Sequence, residues 1–137
     1  MPLSDNLLWL CDAQVLGNSG SEYTDDDINF GYAAPGINKG GLFGLHMLIT
    51  TTYATLTSGC ILWIVHAATA TPTVKHTGMF IAAAAMIAGN HFYVPCGSTP
   101  LLQYARAYFE VVSENATAGA SDLYFGPPGP WTTKAVV

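Results

Sequence analysis

Short runs of β-branched and aromatic residues recur along the chain, separated by clusters of Gly, Pro, Asn and Ser. This spacing is typical of an all-β domain. Strands are predicted at residues 7–11, 28–31, 43–51, 59–67, 78–87, 91–95, 104–112 and 122–125. We therefore expect an antiparallel β-sandwich with little helix.

Alternation of apolar and polar positions shows which face of two predicted strands is buried. One apolar face consists of Phe43, Leu45, Met47 and Ile49. The other consists of Ala105, Ala107, Phe109 and Val111. Both faces are expected in the core. Residues 60–65 are apolar without alternation, which predicts a strand covered on both sides, by the opposite sheet and by a neighbouring subunit.

The run of alanines within residues 81–87 gives conflicting signals. Four consecutive alanines favour a helix by intrinsic propensity, but Gly78 and Gly89 leave room for only about three turns. We predict a strand or a bent edge segment, because the sheet on both sides can override propensity.

The two ends of the chain differ from the body, which we take as one domain over residues 1–125. The residues before Leu7 are short and polar, and residues 126–137 contain Pro127, Pro128 and Pro130. This composition predicts an extended C-terminal arm over 126–137, since proline is excluded from helix interiors and central strands. Trp131 gives the arm an apolar group that either docks on a partner or folds back on its own domain.

Charge is scarce and unevenly placed in this chain of 137 residues. Only 9% of the residues are charged, against a usual fraction of about 25%, and the net charge is −5. Four basic residues are too few for a phosphate-binding surface, so nucleic acid is not an expected partner. A surface this poor in charge is expected to meet protein, as in a homo-oligomer. The acidic residues Asp25, Asp26 and Asp27 form either an edge that docks on a basic or polar protein surface or a solvated loop.

No motif in the sequence predicts catalysis or a cofactor. The four histidines form no metal-binding spacing, and the Asp25-x-Asp27-x-Asn29 pattern departs from a calcium loop because Phe30 replaces the required glycine. Cys11, Cys60 and Cys96 are odd in number and far apart, which predicts free buried thiols. Arg106 is expected to pair with Glu110 or with a carboxylate of a neighbouring strand.

Localisation follows from two further features of the sequence. The chain opens without the positively charged region of a secretory signal, so assembly in a reducing cytoplasm is expected. The apolar runs at residues 60–68 and 79–88 are about ten residues each, and a membrane helix needs about 20. No membrane association is expected.

Several segments, taken in order, resemble the small jelly-roll cement (decoration) proteins on the capsids of tailed bacteriophages. Asp12-Ala13-Gln14 follows a short apolar strand, as in that family, and Asp27-Ile28-Asn29-Phe30-Gly31 is similar to its short polar strand. The segment 104–108, followed by Thr117-Ala118-Gly119-Ala120, looks like the family's late strand and hairpin. The chain departs from the pattern in its alanine run and in residues 127–137.

The resemblance implies a structural virion protein on the capsid exterior, assembled in the host cytoplasm. It implies a homo-oligomer, a dimer or trimer, that bridges adjacent major capsid proteins without a cofactor or metal. Aromatic residues near turns and termini are the expected contacts with capsid or subunit, since aromatics contribute most of the energy at such interfaces, although each could instead belong to the core. These candidates are Trp9, Tyr23, Phe30, Tyr32, Tyr124, Phe125 and Trp131, together with Asp25, Asp26, Asp27, Pro127, Pro128 and Pro130.

Three alternatives remain open at the level of sequence. The first is a carbohydrate- or receptor-binding jelly-roll module, in which His91, Phe92, Tyr93 and Trp131 would stack on sugars. The others are an enzyme built on a β-sandwich and a small membrane protein.

Overall fold

The computed structural model describes residues 9–17, 20–30, 43–96 and 101–126. Within these ranges the chain forms strands joined by turns, with no α-helix. The strands are β1 (Trp9–Gln14), β2 (Glu22–Tyr23), β3 (Ile28–Asn29), β4 (Gly44–Ala54), β5 (Gly59–Ala67), β6 (Val74–Ala82), β7 (His91–Pro95), β8 (Tyr104–Val112) and β9 (Ala118–Gly126).

The strands form two antiparallel sheets. Sheet I has the order β1-β9-β4-β7, and sheet II has the order β2-β8-β5-β6, with β3 also paired to β8. If β2 and β3 are counted as two pieces of one strand, this is the strand order of a jelly roll, in which the chain passes repeatedly between two four-stranded sheets. The prediction of an all-β antiparallel sandwich is confirmed.

The core lies between the two sheets and is lined by alternate residues of their long strands. Leu45 and Met47 of β4 are fully buried there, as are Leu62 of β5 and Ala105 of β8. The two inward faces predicted from alternation are confirmed, because seven of their eight residues are buried and Val111 packs against the core. In β5 the core residues Cys60, Leu62 and Ile64 alternate with Ile61, Trp63 and Val65 on the outer face.

Some predicted element bounds need correction. Strand β6 ends at Ala82, and Ala83–Ala85 form a 3₁₀ turn where a strand or edge segment was expected. The helical preference of alanine prevails over the sheet context at this turn. The turn also places Met86 in the core. The Met86 carbonyl accepts a hydrogen bond from Tyr53 N at 3.0 Å. Strand β9 is longer than predicted, and β2 was not anticipated.

The sandwich continues one residue past the predicted domain boundary. Gly126 is the last residue of β9 and pairs with Gly44 of β4. The rest of the predicted C-terminal arm of residues 126–137, from Pro127 on, and the segment before Trp9 lie outside the described residues.

Candidate binding surface

The outer face of sheet II carries a group of aromatic and charged side chains. In strands β5 and β8, residues that point away from the core lie opposite one another: Trp63 is paired with Tyr108, and Val65 with Arg106. Tyr23 of β2 is paired with Tyr108 from the other side. We call this group the cation–aromatic cluster; it consists of Tyr23, Trp63, Lys75, Arg106, Tyr108 and Glu110.

One half of the cluster is organised around Trp63. The indole Nε1 donates a hydrogen bond to Glu110 Oε1 at 2.7 Å, and Lys75 Nζ donates to the same oxygen at 3.4 Å. Lys75 Nζ also lies 4.6 Å from the centre of the Trp63 ring, within the range of a cation–π interaction. Glu110 therefore fixes both the indole and the ammonium group.

Arg106 organises the other half. Its guanidinium lies 4.0 Å from the centre of the Tyr23 ring, which is itself 4.4 Å from the Tyr108 ring. Arg106 Nε donates a hydrogen bond to the carbonyl of Pro72 at 2.9 Å. Two different contacts thus hold the guanidinium against the sheet.

The predicted pairing of Arg106 with Glu110 is wrong. The two residues are four positions apart on one strand, which separates them by about 13 Å along β8. Glu110 instead pairs with Lys75 of β6. Arg106 makes no ion pair with any described residue.

The positive charge of the described residues is concentrated in this cluster. Lys75 and Arg106 are the basic residues in that part of the chain, and both lie on the outer face of sheet II. The acidic segment between β2 and β3 exposes Asp25 and Asp26. Asp27 is half-buried, and its Oδ2 accepts a hydrogen bond from Thr71 N at 2.8 Å.

Among the described strands, β6 forms one edge of sheet II and extends the apolar part of this surface. Strand β6 is the last strand of the sheet, and Phe80, which is paired with Ile61 of the outer face, is 55% exposed. At the other end of the strand Val74 is 57% exposed. An edge strand with exposed apolar side chains and a single charge is a surface that other proteins can dock on.

A row of rings crosses the outer face of sheet I, but it is not a free surface. Trp9, Tyr124, His46 and Tyr93 lie side by side on neighbouring strands, with successive ring centres 4.7, 5.0 and 4.7 Å apart. His46 is 0% exposed and Tyr124 is 1% exposed, and burial raises the pKa of Tyr124 to about 12. The structure brings Trp9 and Tyr124 together, but Tyr124 presents no contact area in this fold.

The remaining predicted contact residues are divided between the core and the surface. Phe125 is 1% exposed and stacks on Phe43 at 5.5 Å, so it belongs to the core, with half-buried Phe30 beside it at 6.3 Å. Tyr23 lies in the cation–aromatic cluster. Tyr32, Pro127, Pro128, Pro130 and Trp131 lie outside the described residues.

The histidines form two pairs that no sequence spacing indicated. His46 Nδ1 and His91 Nε2 are 2.8 Å apart, a hydrogen-bond distance between residues of β4 and β7. His66 and His76 have ring centres 4.7 Å apart, and burial lowers the pKa of both His66 and His91. Within the described ranges, no group of three His, Cys, Asp or Glu residues is arranged to hold a metal ion.

The predicted free buried thiols are confirmed. Cys11, Cys60 and Cys96 are all unpaired and buried, and burial raises the pKa of each to about 12. They remain protonated at neutral pH, and a protonated thiol is a poor nucleophile.

Comparison with known proteins assigns no family to this chain. No protein-family model matches the chain, and no curated protein matches it. Across the described part of the chain, no helix has the length and apolar character needed to cross a membrane.

Proposed function

We propose that the protein is a structural virion protein that binds the outer surface of a capsid and bridges adjacent major capsid proteins. The observation that carries the proposal is the outer face of sheet II, which combines Trp63, Tyr108 and Arg106 with exposed Phe80. Tryptophan, tyrosine and arginine are the residue types that dominate binding energy at protein interfaces.

The fold and the sequence resemblance support the same proposal. A jelly roll is a frequent fold of viral capsid and lectin domains, although a fold alone does not establish a function. The three thiols are protonated and buried, so they favour a structural role over nucleophilic catalysis.

Such a protein stabilises a shell by adding buried interface across joints between capsid subunits, which internal DNA pressure would otherwise separate. A standard interface buries roughly 1,600 Å², and many copies bound to one lattice act as a multivalent clamp. Self-association into a dimer or trimer would let one unit reach two capsid subunits.

The test compares DNA-filled capsid shells that carry this protein with DNA-filled shells that lack it, which we call bare shells. We expect purified protein to bind the bare shells and to appear as added density on their exterior. We also expect it to raise the temperature at which the shells release DNA. Shells that neither bind the protein nor gain heat resistance would reject the proposal.

The alternative of a sugar-binding module has less support from the described residues. His91, Phe92 and Tyr93 are half-buried, and the rings of His91 and Tyr93 contact His46. A sugar needs an open aromatic face on which to stack. Binding to a glycan array in the absence of shells would favour this alternative.

A further inference from the structure

Strand β6 gives sheet II an edge that is exposed and uncharged over residues 77–82. Among the described strands it pairs with β5 alone, and the outer-face residues Gly78, Phe80 and Ala82 are all exposed. Proteins usually protect such edges with charges, prolines or bulges. Residues 77–82 contain no charge and no proline, and the register shift of the β5–β6 pair lies before Thr77.

The pairing with β5 shows which backbone groups face this edge. Ala83 N donates a hydrogen bond to the Ser58 carbonyl at 3.1 Å, in register with the β5–β6 pair. Residues that bond the partner strand alternate with residues that do not along an antiparallel ladder. Ile81, two positions from Ala83, therefore bonds β5, and its carbonyl oxygen lies against Gly59 of that strand. The intervening residues direct their N–H and C=O groups away from β5, and they are Gly78, Phe80 and Ala82.

We propose that this edge pairs with the same edge of a second copy of the chain, about a two-fold axis beside Phe80. In this register Phe80 lies opposite Phe80 of the second copy, and Gly78 lies opposite Ala82. Three donors from each of two copies then make six hydrogen bonds. A register centred on a neighbouring residue leaves some of these groups unpaired. The two copies of sheet II become one continuous sheet.

The distribution of charge favours a second copy at this edge. The chain carries a net charge of −5, so two copies repel each other unless their acidic groups stay apart. The exposed Asp25 and Asp26 follow β2, at the opposite edge of sheet II and about 14 Å from β6. Lys75 is bonded to Glu110 of its own copy, and the proposed register separates the two Lys75 residues by about 30 Å along the strands. Two acidic chains can therefore meet through β6 with little repulsion.

Phe80 supplies the apolar part of the contact, and the number of hydrogen bonds indicates its strength. The Phe80 side chain is more than half exposed, and aromatic residues that lie opposite each other stabilise antiparallel pairs. A standard interface has about ten direct hydrogen bonds, with a range of about five to fifteen. The six expected here are near the lower limit, so the dimer should dissociate on dilution.

The symmetry of this pairing places both outer faces on the same side. Residues that lie opposite each other on antiparallel strands point to the same face of a sheet, so the two-fold axis stands perpendicular to it. One dimer therefore carries two cation–aromatic clusters that face one way. Under the proposed function these would reach two adjacent capsid subunits, but the pairing itself does not depend on that function.

The first experiment measures sedimentation over about a hundredfold range of protein concentration. We expect a monomer–dimer equilibrium in wild type. Phe80→Lys and Phe80→Glu should each weaken it about tenfold or more, because like charges then lie opposite each other at the axis. An equimolar mixture of these two variants should recover the dimer, since residue 80 meets residue 80. The controls are Val15→Lys and Val15→Glu, at an exposed apolar residue elsewhere, which should associate as wild type.

The second experiment removes a backbone donor. Ala82 has a φ of −67°, which proline also adopts, and its N–H points to the edge. Ala82→Pro therefore removes one donor from each copy and leaves the bonds to β5 in place. We expect it to weaken the dimer several-fold with an unchanged circular dichroism spectrum. Ala82→Ser keeps the N–H and should associate as wild type. This pair of variants also decides the question if charged residues at position 80 prevent folding.

The outcomes separate the pairing from other occupants of the edge and from the proposed function. A monomer at every concentration, a trimer, or a dimer that folded Ala82→Pro and the unmixed Phe80 variants form as well as wild type would overturn the proposal. A chain that dimerises only when truncated after Gly126 would overturn it in favour of an edge covered by residues 127–137. If wild type dimerises as proposed but does not bind shells, the function is wrong and the pairing stands. If it binds shells as a monomer, the pairing is wrong and the function stands.

Discussion

The indole ring of Trp63 lies against the α-carbon of Gly78, its partner in the pairing of β5 with β6. A Cβ built on Gly78 would come within 2.5 Å of Trp63 Cε3, closer than real side chains approach. An aromatic residue that covers a glycine on a neighbouring strand shields its backbone and fixes the register. The position of the Trp63 ring leaves no space for a side chain at residue 78, so this position requires glycine.

We predict that Gly78→Ala destabilises the sandwich by about 1–3 kcal/mol, because the added methyl group overpacks against Trp63. Urea unfolding followed by circular dichroism measures the change. The double variant Gly78→Ala with Trp63→Leu is the control, since the clash disappears with the ring. Strictly additive losses in the double variant would show that the two residues do not interact as described.

The sequence was sufficient to predict the fold class and several elements. The bounds of β5, β7 and β8 agree with the predicted ones, because Gly, Pro or polar residues flank an apolar run in β5 and β7 and an alternating segment in β8. The inward faces of β4 and β8 followed from alternation, which sheet geometry requires when one face is buried.

The binding surface could not be predicted because it depends on which distant strands pair. Trp63, Tyr108 and Tyr23 come together only because β8 lies between β5 and β2. The outer face of β5 is apolar like its inner face, so residues 60–65 show no alternation of apolar and polar positions. Trp63 therefore could not be identified from the sequence as an outer residue. Arg106 was assigned to Glu110 by proximity in sequence, whereas in the structure the long Lys75 side chain reaches across the Trp63 ring to Glu110.

Acidification is expected to destabilise the protein below about pH 6.5 through His91 and His66. Burial lowers the pKa of both groups below the ordinary 6.5, so the unfolded chain takes up protons before the folded chain does. Their contribution to the free energy of unfolding is present above pH 6.5 and is lost as pH falls towards the folded pKa.

Unfolding in urea at about pH 7.5 and about pH 5.5 measures this loss. We expect His91→Gln, which removes the titrating ring near His46, to show a smaller difference between the two conditions than wild type. An unchanged difference would mean that His91 does not contribute.

The three thiols are expected to be unreactive in the folded protein. Each is buried with a pKa of about 12, so both the thiolate fraction and access are low at neutral pH. A thiol reagent such as Ellman's should titrate none of them rapidly in buffer and all three in urea. Rapid reaction of any thiol in the native protein would contradict the burial of that cysteine.

The last prediction concerns residues 127–137, which follow the final strand. Because Gly126 pairs with Gly44 at the end of β9, a chain that ends at Gly126 retains every described strand and should remain folded. Three prolines restrict the unbound conformations of this segment, so its docking costs less entropy, and Trp131 offers a large apolar group to a partner. We expect truncation after Gly126 to weaken attachment to shells, and Trp131→Ala to reproduce most of that loss, with Thr133→Ala as the matched control.

Binding to shells by sedimentation and unfolding by circular dichroism are measured on the same samples. If the truncated chain unfolds, the segment belongs to the sandwich; if it binds shells with unchanged affinity, attachment is made by the body alone.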